Sequence, residues 1–198
     1  MTASEIVAVT LNLPDDWYDV DLDADDAAEW IGSLSLTYDD SVDTARFAGM
    51  LASLREALLT DDVDVAAIHL DSPNRGNIGA VVTLEVLERG ADDTPESFLA
   101  FAESQRDLRS AELDISAFQS WTAEHPFGDL VAFTCLALVT AADGESILEE
   151  RAVYTLFPTS TAQIVQITFR TARLGVFEDI AGETAAMVAN MELELEPA

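Results

Sequence analysis

The clearest periodic pattern in the chain is an apolar residue at every third or fourth position over residues 42–59. This spacing places the apolar side chains on one side of a helix, so the segment predicts an amphipathic helix. Its apolar stripe consists of Phe47, Met50, Leu51, Leu54 and Leu58. We expect Ser41 to cap this helix, because its hydroxyl can accept a hydrogen bond from an early backbone N–H.

Two more helices are predicted nearer the C-terminus. One begins after Thr94, an N-cap candidate, and extends to about residue 109. Pro95 suits its first helical position, where a missing N–H costs nothing. The other helix covers about residues 176–190. Its apolar side consists of Phe177, Ile180, Met187 and Val188.

Alternation of apolar and polar residues predicts β-strands in most of the remaining chain. The predicted strands cover residues 6–13, 19–25, 63–70, 78–87, 113–121, 130–140, 146–157 and 162–171. The pair Asp143-Gly144 separates two of them and favours a tight hairpin, because both residues tolerate positive φ. Short connections imply antiparallel pairing, since parallel strands need long crossovers.

The strand over residues 130–140 decides the predicted architecture. Val131 and Phe133 point to one face, whereas Leu130 and Ala132 point to the other. Because both faces are apolar, both must be covered. We therefore predict one α+β domain over residues 1–198. Its antiparallel sheet of about six strands has helices on both faces, as in an α/β/α sandwich.

Charge restricts the partners that such a domain can bind. The chain contains no lysine, and its nine arginines stand against 38 acidic residues, giving a formal net charge of −29. Lysine Schiff-base chemistry and a P-loop lysine are thereby excluded. The charge also argues against nucleic acid, whose phosphates require neutralisation, and against anionic membranes. We expect another protein with a basic or apolar surface, although a host with an acidic proteome would produce the same composition.

Other sequence features predict a cytoplasmic protein that is not an enzyme. The N-terminus has no basic region followed by a long apolar run, so no secretory signal is predicted. Cys135 is the single cysteine, which excludes an intrachain disulfide and fits a reducing compartment. The chain contains no G-x-S-x-G, H-E-x-x-H or G-x-G-x-x-G motif. We therefore expect no cofactor, no metal and no catalytic residues.

An acidic segment near the N-terminus is the first candidate site. Acidic and apolar residues alternate there, which places Asp19, Asp21, Asp23 and Asp25 on one side of a predicted strand near a sheet edge. A calcium loop of the EF-hand type fails, because its sixth position lacks glycine and its twelfth lacks glutamate. Two interpretations remain. The charges either protect the edge from unwanted pairing or form a docking surface for a basic partner.

The second candidate site is aromatic. A loop is predicted after the strand that ends at Trp121, and it carries His125 and Phe127. Exposed aromatic side chains commonly anchor protein interfaces, so these three residues form a candidate partner-binding site, with core filling as the alternative. Cys135 lies in mid-strand among apolar residues. We expect it to be buried and unreactive, because cysteine in such surroundings behaves as a small hydrophobe.

Three features of the chain resemble the Mog1/PsbP-like group, which includes bacterial DcrB-type proteins. The first is an early strand that runs into L-P-D-D-W at residues 13–17. The second is a hairpin over residues 154–169 that ends in V-x-I-x-F. The third is a closing helix over 177–190 followed by a short strand at 191–195. The resemblance implies an α/β/α sandwich with no shared catalytic residues. It also implies a binding role, as members bind GTPases, photosystem subunits or secreted effectors.

Three functional hypotheses follow from these observations. The leading one is a non-enzymatic, cytoplasmic protein-binding domain that acts as an adaptor or chaperone. The second is an acidic immunity or inhibitor protein that neutralises a basic toxin, with charge steering the two together. The third is a small-molecule binder or enzyme with an apolar pocket between sheet and helix. A cavity with converging polar groups favours the third hypothesis.

Overall fold

The structure is a computed structural model that describes residues 4–23, 27–35, 43–70, 76–141, 143–159 and 161–196. Within these ranges the chain forms nine strands and four helices. In chain order they are β1 (Glu5–Thr10), β2 (Trp17–Asp19), α1 (Ala28–Ser35), α2 (Thr44–Thr60), β3 (Val65–Leu70), β4 (Ile78–Glu88), α3 (Pro95–Ser104), β5 (Leu113–His125), β6 (Gly128–Thr140), β7 (Ser146–Pro158), β8 (Gln163–Thr171), α4 (Ile180–Ala189) and β9 (Glu192–Glu196). The fold is therefore of the mixed α+β class.

Seven of the strands form one antiparallel sheet in the order β2-β3-β4-β8-β7-β6-β5. The predicted antiparallel pairing is confirmed, but the predicted number of about six strands is one too low. The first predicted strand does not join this sheet, since β1 pairs with β9 in a separate two-stranded sheet. The short strand predicted after the last helix is confirmed as β9. Its partner is β1, at the other end of the described chain.

Alternate residues of β6 pack in different clusters. Leu130 and Ala132 belong to the main core cluster, which contains Tyr154 and the α4 residues Ile180 and Val188. Val131 belongs instead to a cluster that the α3 residues Phe98 and Leu99 contact. A further large cluster joins α1 and α2 to β3 and β4. Each fully buried leucine or isoleucine contributes about 1.5–3 kcal/mol, so these clusters account for much of the fold's stability.

Local hydrogen bonds define where α2 and α3 begin. The predicted cap Ser41 lies outside the described residues, and the observed N-cap of α2 is Asp43, whose Oδ1 accepts from the Arg46 N–H at 3.0 Å. The predicted cap Thr94 is confirmed, because its Oγ1 accepts from the Ser97 N–H at 3.1 Å. Ser97 Oγ returns the contact by accepting from the Thr94 N–H at 2.9 Å. This reciprocal capping box stabilises the first turn of α3.

Candidate functional site

The acidic segment does not form the predicted strand. Strand β2 ends at Asp19, and neither Asp21 nor Asp23 belongs to a strand; Asp25 lies outside the described residues. The physical reason is a contact with α2, where the Arg55 Nε donates to the Asp21 carbonyl oxygen at 2.6 Å. Its Nη2 donates to the Leu22 carbonyl oxygen at 3.2 Å. These bonds draw the backbone towards the helix.

The position at a sheet edge is nevertheless correct. Among the strands that the structure describes, β2 is outermost in the large sheet and pairs only with β3. Asp19, Asp21 and Asp23 are exposed to solvent. Edge protection and docking of a basic partner therefore both stay as interpretations of these three carboxylates.

The predicted aromatic loop is a strand in the structure. β5 continues through His125, so Trp121 lies within a strand, and a two-residue connection containing Phe127 joins β5 to β6. Trp121 is half-buried, with its ring edge-on to Tyr154 at a centroid distance of 6.0 Å. His125 is buried and stacks on Phe127 at 5.6 Å. Burial lowers the pKa of His125 and favours the neutral imidazole.

These contacts explain why the loop prediction was wrong. The two-residue connection is shorter than the sequence suggested, because the register of β5 and β6 extends to the pair His125 and Gly128. Trp121 and Phe127 both pack against the main core cluster. Their role in binding a partner stays a prediction, but it applies to half-buried side chains rather than to an exposed loop.

Cys135 lies where the sequence predicts, in the interior of β6. Only 4% of the residue is exposed. Burial raises the pKa of the thiol, while the nearby Arg151 guanidinium acts in the opposite direction. Because the thiolate is the nucleophilic form, a thiol with a raised pKa is poorly suited to catalysis.

The hairpin formed by β6 and β7 provides a site that sequence reasoning did not single out. Each strand has 13 residues, and the turn at Asp143-Gly144 is confirmed, with Gly144 at a φ of +88°. β8 pairs with β7 only from Glu150 onward, so residues 146–149 extend past β8. There Leu138 and Leu148 lie directly opposite each other, with 39% and 37% of their surfaces exposed.

Acidic residues lie beside these leucines. Glu150 is opposite Leu136 in the next cross-strand pair on the same face. A cavity of about 290 Å³ connects both residues to Glu178 and Asp179 at the beginning of α4. We call the six residues of this region the hairpin surface; they are Leu136, Leu138, Leu148, Glu150, Glu178 and Asp179.

The electrostatics of the hairpin surface favour a cation. Burial raises the pKa of Glu150, and the negative charge of Glu183 raises it further. Within the described residues no arginine pairs with Glu150. Glu183 Oε1 also accepts from the backbone N–H groups of Glu178 and Asp179 at 2.7 and 2.9 Å, which holds the turn before α4 in place. A basic side chain placed here would relieve repulsion among these carboxylates.

Neither a metal cluster nor a membrane-spanning helix occurs in the described part of the chain. Its His, Cys, Asp and Glu side chains form no group of three or more that could hold a metal ion. Its helices are too short or too polar to cross a bilayer.

Comparison with solved structures identifies the fold. Cyanobacterial PsbP (CyanoP) from Synechocystis sp. PCC 6803 has a similar structure, with a TM-score of 0.51 and 8% sequence identity over 98% of this chain and 94% of that one. LpqN, involved in cell envelope biogenesis of Mycobacterium tuberculosis, aligns with a TM-score of 0.46 and 10% identity over 96% and 83% of the two chains. No family model and no curated protein sequence matches the chain. The predicted resemblance to the PsbP-like group is confirmed at the level of the fold.

Proposed function

We propose that this chain is a non-enzymatic protein-binding domain and that the hairpin surface docks its partner. The observation that carries the proposal is the exposed pair Leu138 and Leu148 beside the carboxylate of Glu150, with which no described arginine pairs. The partner would present an apolar centre and a basic rim. An adaptor or chaperone in the reducing cytoplasm is the form of this function that the single cysteine favours.

We also infer that helices cover both faces of the sheet, as in an α/β/α sandwich. It is supported by the packing of alternate β6 residues against α4 and against α3. At the end of the hairpin that extends past β8, Leu138 and Leu148 stay partly exposed. Contiguous apolar patches of this kind, with polar residues at the rim, mark interaction sites when they are large enough.

Energetics favour the apolar contact as the source of affinity and the acids as the source of specificity. Burial of both leucines contributes a few kcal/mol, at about 1.5–3 kcal/mol for each fully buried side chain. Charges at the rim chiefly accelerate association and reject acidic partners. A basic partner is therefore expected to bind more slowly as salt is added, while its dissociation rate changes less.

The experiment compares three leucine variants in capture from a lysate of the host. Leu138→Ser and Leu148→Ser change the hairpin surface, whereas Leu59→Ser changes a residue of α2 that is 46% exposed and serves as the matched control. We expect the wild type and Leu59→Ser to retain one stoichiometric protein that both hairpin variants lose. Equal capture by all four proteins would rule out the hairpin surface as the docking site.

A second candidate function is inhibition of a basic toxin. It is favoured by the three carboxylates of the hairpin surface, Glu150, Glu178 and Asp179, which line one cavity. The two functions differ in what the captured protein does. If it is a basic enzyme, the inhibitor function requires its activity to fall in proportion to complex formation. A partner that stays active in the complex supports the adaptor instead.

A further inference from the structure

A cavity of about 340 Å³ lies between α3 and the strands β5 to β8. Its apolar lining includes Phe98, Phe101, Ile115, Val131, Phe133 and Val153. Phe101 projects from α3 with 66% of its surface exposed, beside residues that are largely buried. Three phenylalanines around one opening provide a large apolar contact area. The volume lies within the range typical of small-molecule sites, about 300–1,000 Å³.

The polar residues that line this cavity differ between its two ends. Thr155 and Gln166 are cross-strand partners at one end, and Gln166 Nε2 donates to the Oε2 of Glu85 at 3.4 Å. Burial, together with the negative charges of neighbouring aspartates, raises the pKa of Glu85. An anionic ligand group is therefore repelled from the end where Glu85 lies.

Arginines lie at the opposite end. Arg151 lines the cavity and pairs with Glu149. Its Nε and its Nη2 both donate to the same oxygen of Glu149, Oε2. Arg170 is its direct cross-strand partner on β8 and follows Thr168, which also lines the cavity, on the same face. Arg170 is half-buried, and no hydrogen bond or ion pair joins its side chain to any residue that the structure describes.

An unpaired arginine is unexpected in a chain with 38 acidic residues and nine arginines. Two like charges directly opposite each other on neighbouring strands are destabilising. An anion between them would accept charge-assisted hydrogen bonds from the Arg170 guanidinium and from the Arg151 Nη1 group, which does not contact Glu149. Distant acidic residues are screened within about 8 Å at physiological ionic strength. Glu149 pairs with Arg151 directly, so the positive charge available to an anion at this point is chiefly that of Arg170.

We propose that this cavity binds a small amphipathic carboxylate. Its apolar body lies among the phenylalanines beside α3, and its carboxylate lies between Arg151 and Arg170. Guanidinium groups match a carboxylate because their donors form a planar fork. A medium-chain fatty acid and an aryl-substituted acid share this chemistry. The site is separate from the hairpin surface, which includes none of these residues.

Isothermal titration with octanoate, 3-phenylpropanoate and 1-octanol tests the proposal. The first two compounds represent the lipid and aromatic sources, and the alcohol has an apolar chain without the charge. We expect at least one acid to bind, and to bind more tightly than the alcohol. Arg170→Gln is expected to weaken binding of that acid at least about tenfold, as loss of a charge-assisted contact requires. Arg46→Gln, an equal charge change on exposed α2, is expected to leave it unchanged.

A second measurement uses only the wild-type protein, so its result does not depend on whether a variant folds. The chemical shift of the ¹³C-labelled carboxyl carbon is followed by NMR as the pH is changed, for the free acid and for the acid with wild-type protein. The pKa of the carboxyl group is expected to fall on binding, because the arginines favour the ionised form. Binding of either acid with this shift supports the proposal and identifies the source. Failure of both acids to bind overturns it. Equal affinity for acid and alcohol, or equal effects of Arg170→Gln and Arg46→Gln, also overturns it.

Discussion

Tyr154 is the largest completely buried side chain among the described residues, and its hydroxyl is satisfied by α4. The oxygen lies 2.8 Å from Thr184 Oγ1, and the hydroxyl contacts the carbonyl oxygen of Ala181 at 3.2 Å. Burial raises the pKa of the phenol, so the group stays a neutral donor at physiological pH. The ring is edge-on to Trp121 and Phe169. One residue thus connects β7 to both the helix and the aromatic core.

Removing this hydroxyl is expected to destabilise the domain. Tyr154→Phe keeps the ring but leaves Thr184 and the Ala181 carbonyl without this partner, so we expect a loss of about 1–2 kcal/mol in the free energy of unfolding. Urea denaturation followed by tryptophan fluorescence measures it. Tyr18→Phe, at a half-exposed position on β2, is the matched control and should change stability by less than about 0.5 kcal/mol. Equal effects of the two substitutions would show that the buried hydroxyl contributes nothing specific.

Two glycines in different elements should respond oppositely to alanine. Gly128 begins β6, and a Cβ there would meet the carbonyl oxygen of Phe157 and lie 3.0 Å from the Pro158 Cα, which are backbone atoms of the paired strand. Gly49 lies in the interior of α2, where a Cβ would meet nothing within 4 Å. The sheet constrains the first glycine, whereas the second is only a weak helix former.

Gly128→Ala is expected to cost about 3 kcal/mol, since inserting an atom against fixed backbone forces the hairpin to shift. Gly49→Ala is expected to add about 1 kcal/mol, because alanine favours the helix. Thermal and urea denaturation of both variants measures the two changes. A stable Gly128→Ala variant would mean that β6 and β7 approach each other less closely than this pairing requires.

At the scale of elements, local patterns were predictable and long-range partners were not. The helix α3 begins where Thr94 and Pro95 predict, because capping depends on residues a few positions apart. The strand β1 was expected in the large sheet, but its partner is β9, near the other end of the chain. Nothing in the alternation of one segment identifies a strand so distant in sequence.

The candidate sites illustrate the same limit. The alternation of Asp19 and Asp21 predicted a continuous strand, but contacts from Arg55 on α2 end it after Asp19. Leu138 and Leu148 are visible in the sequence as strand residues near Asp143-Gly144. Their exposure was not predictable, because it depends on where β8 stops pairing with β7.

Charge is the property that belongs to the whole molecule. Even if every arginine paired once, 29 acidic residues would remain without an arginine. Two of them, Glu85 and Glu150, have pKa values raised first by burial and then by neighbouring acids. At such groups the folded protein binds a proton more tightly than the unfolded chain does. Their contribution to stability therefore increases as the pH falls from neutral through their folded pKa values.

Salt should stabilise this protein near neutral pH. Repulsion among the acidic residues is strongest in the compact state, and added ions screen it. For a domain of this size, each kcal/mol recovered raises the melting temperature by about 2–4 °C. Melting curves in a series of sodium chloride concentrations measure the change, with sucrose at matched osmolality as the control, because sucrose acts by exclusion from the surface rather than by screening. We expect most of the increase below about 0.5 M salt, where the screening length shortens most steeply. A melting temperature that stays constant or falls would mean that the carboxylates are spaced widely enough for their repulsion to be small in the folded state.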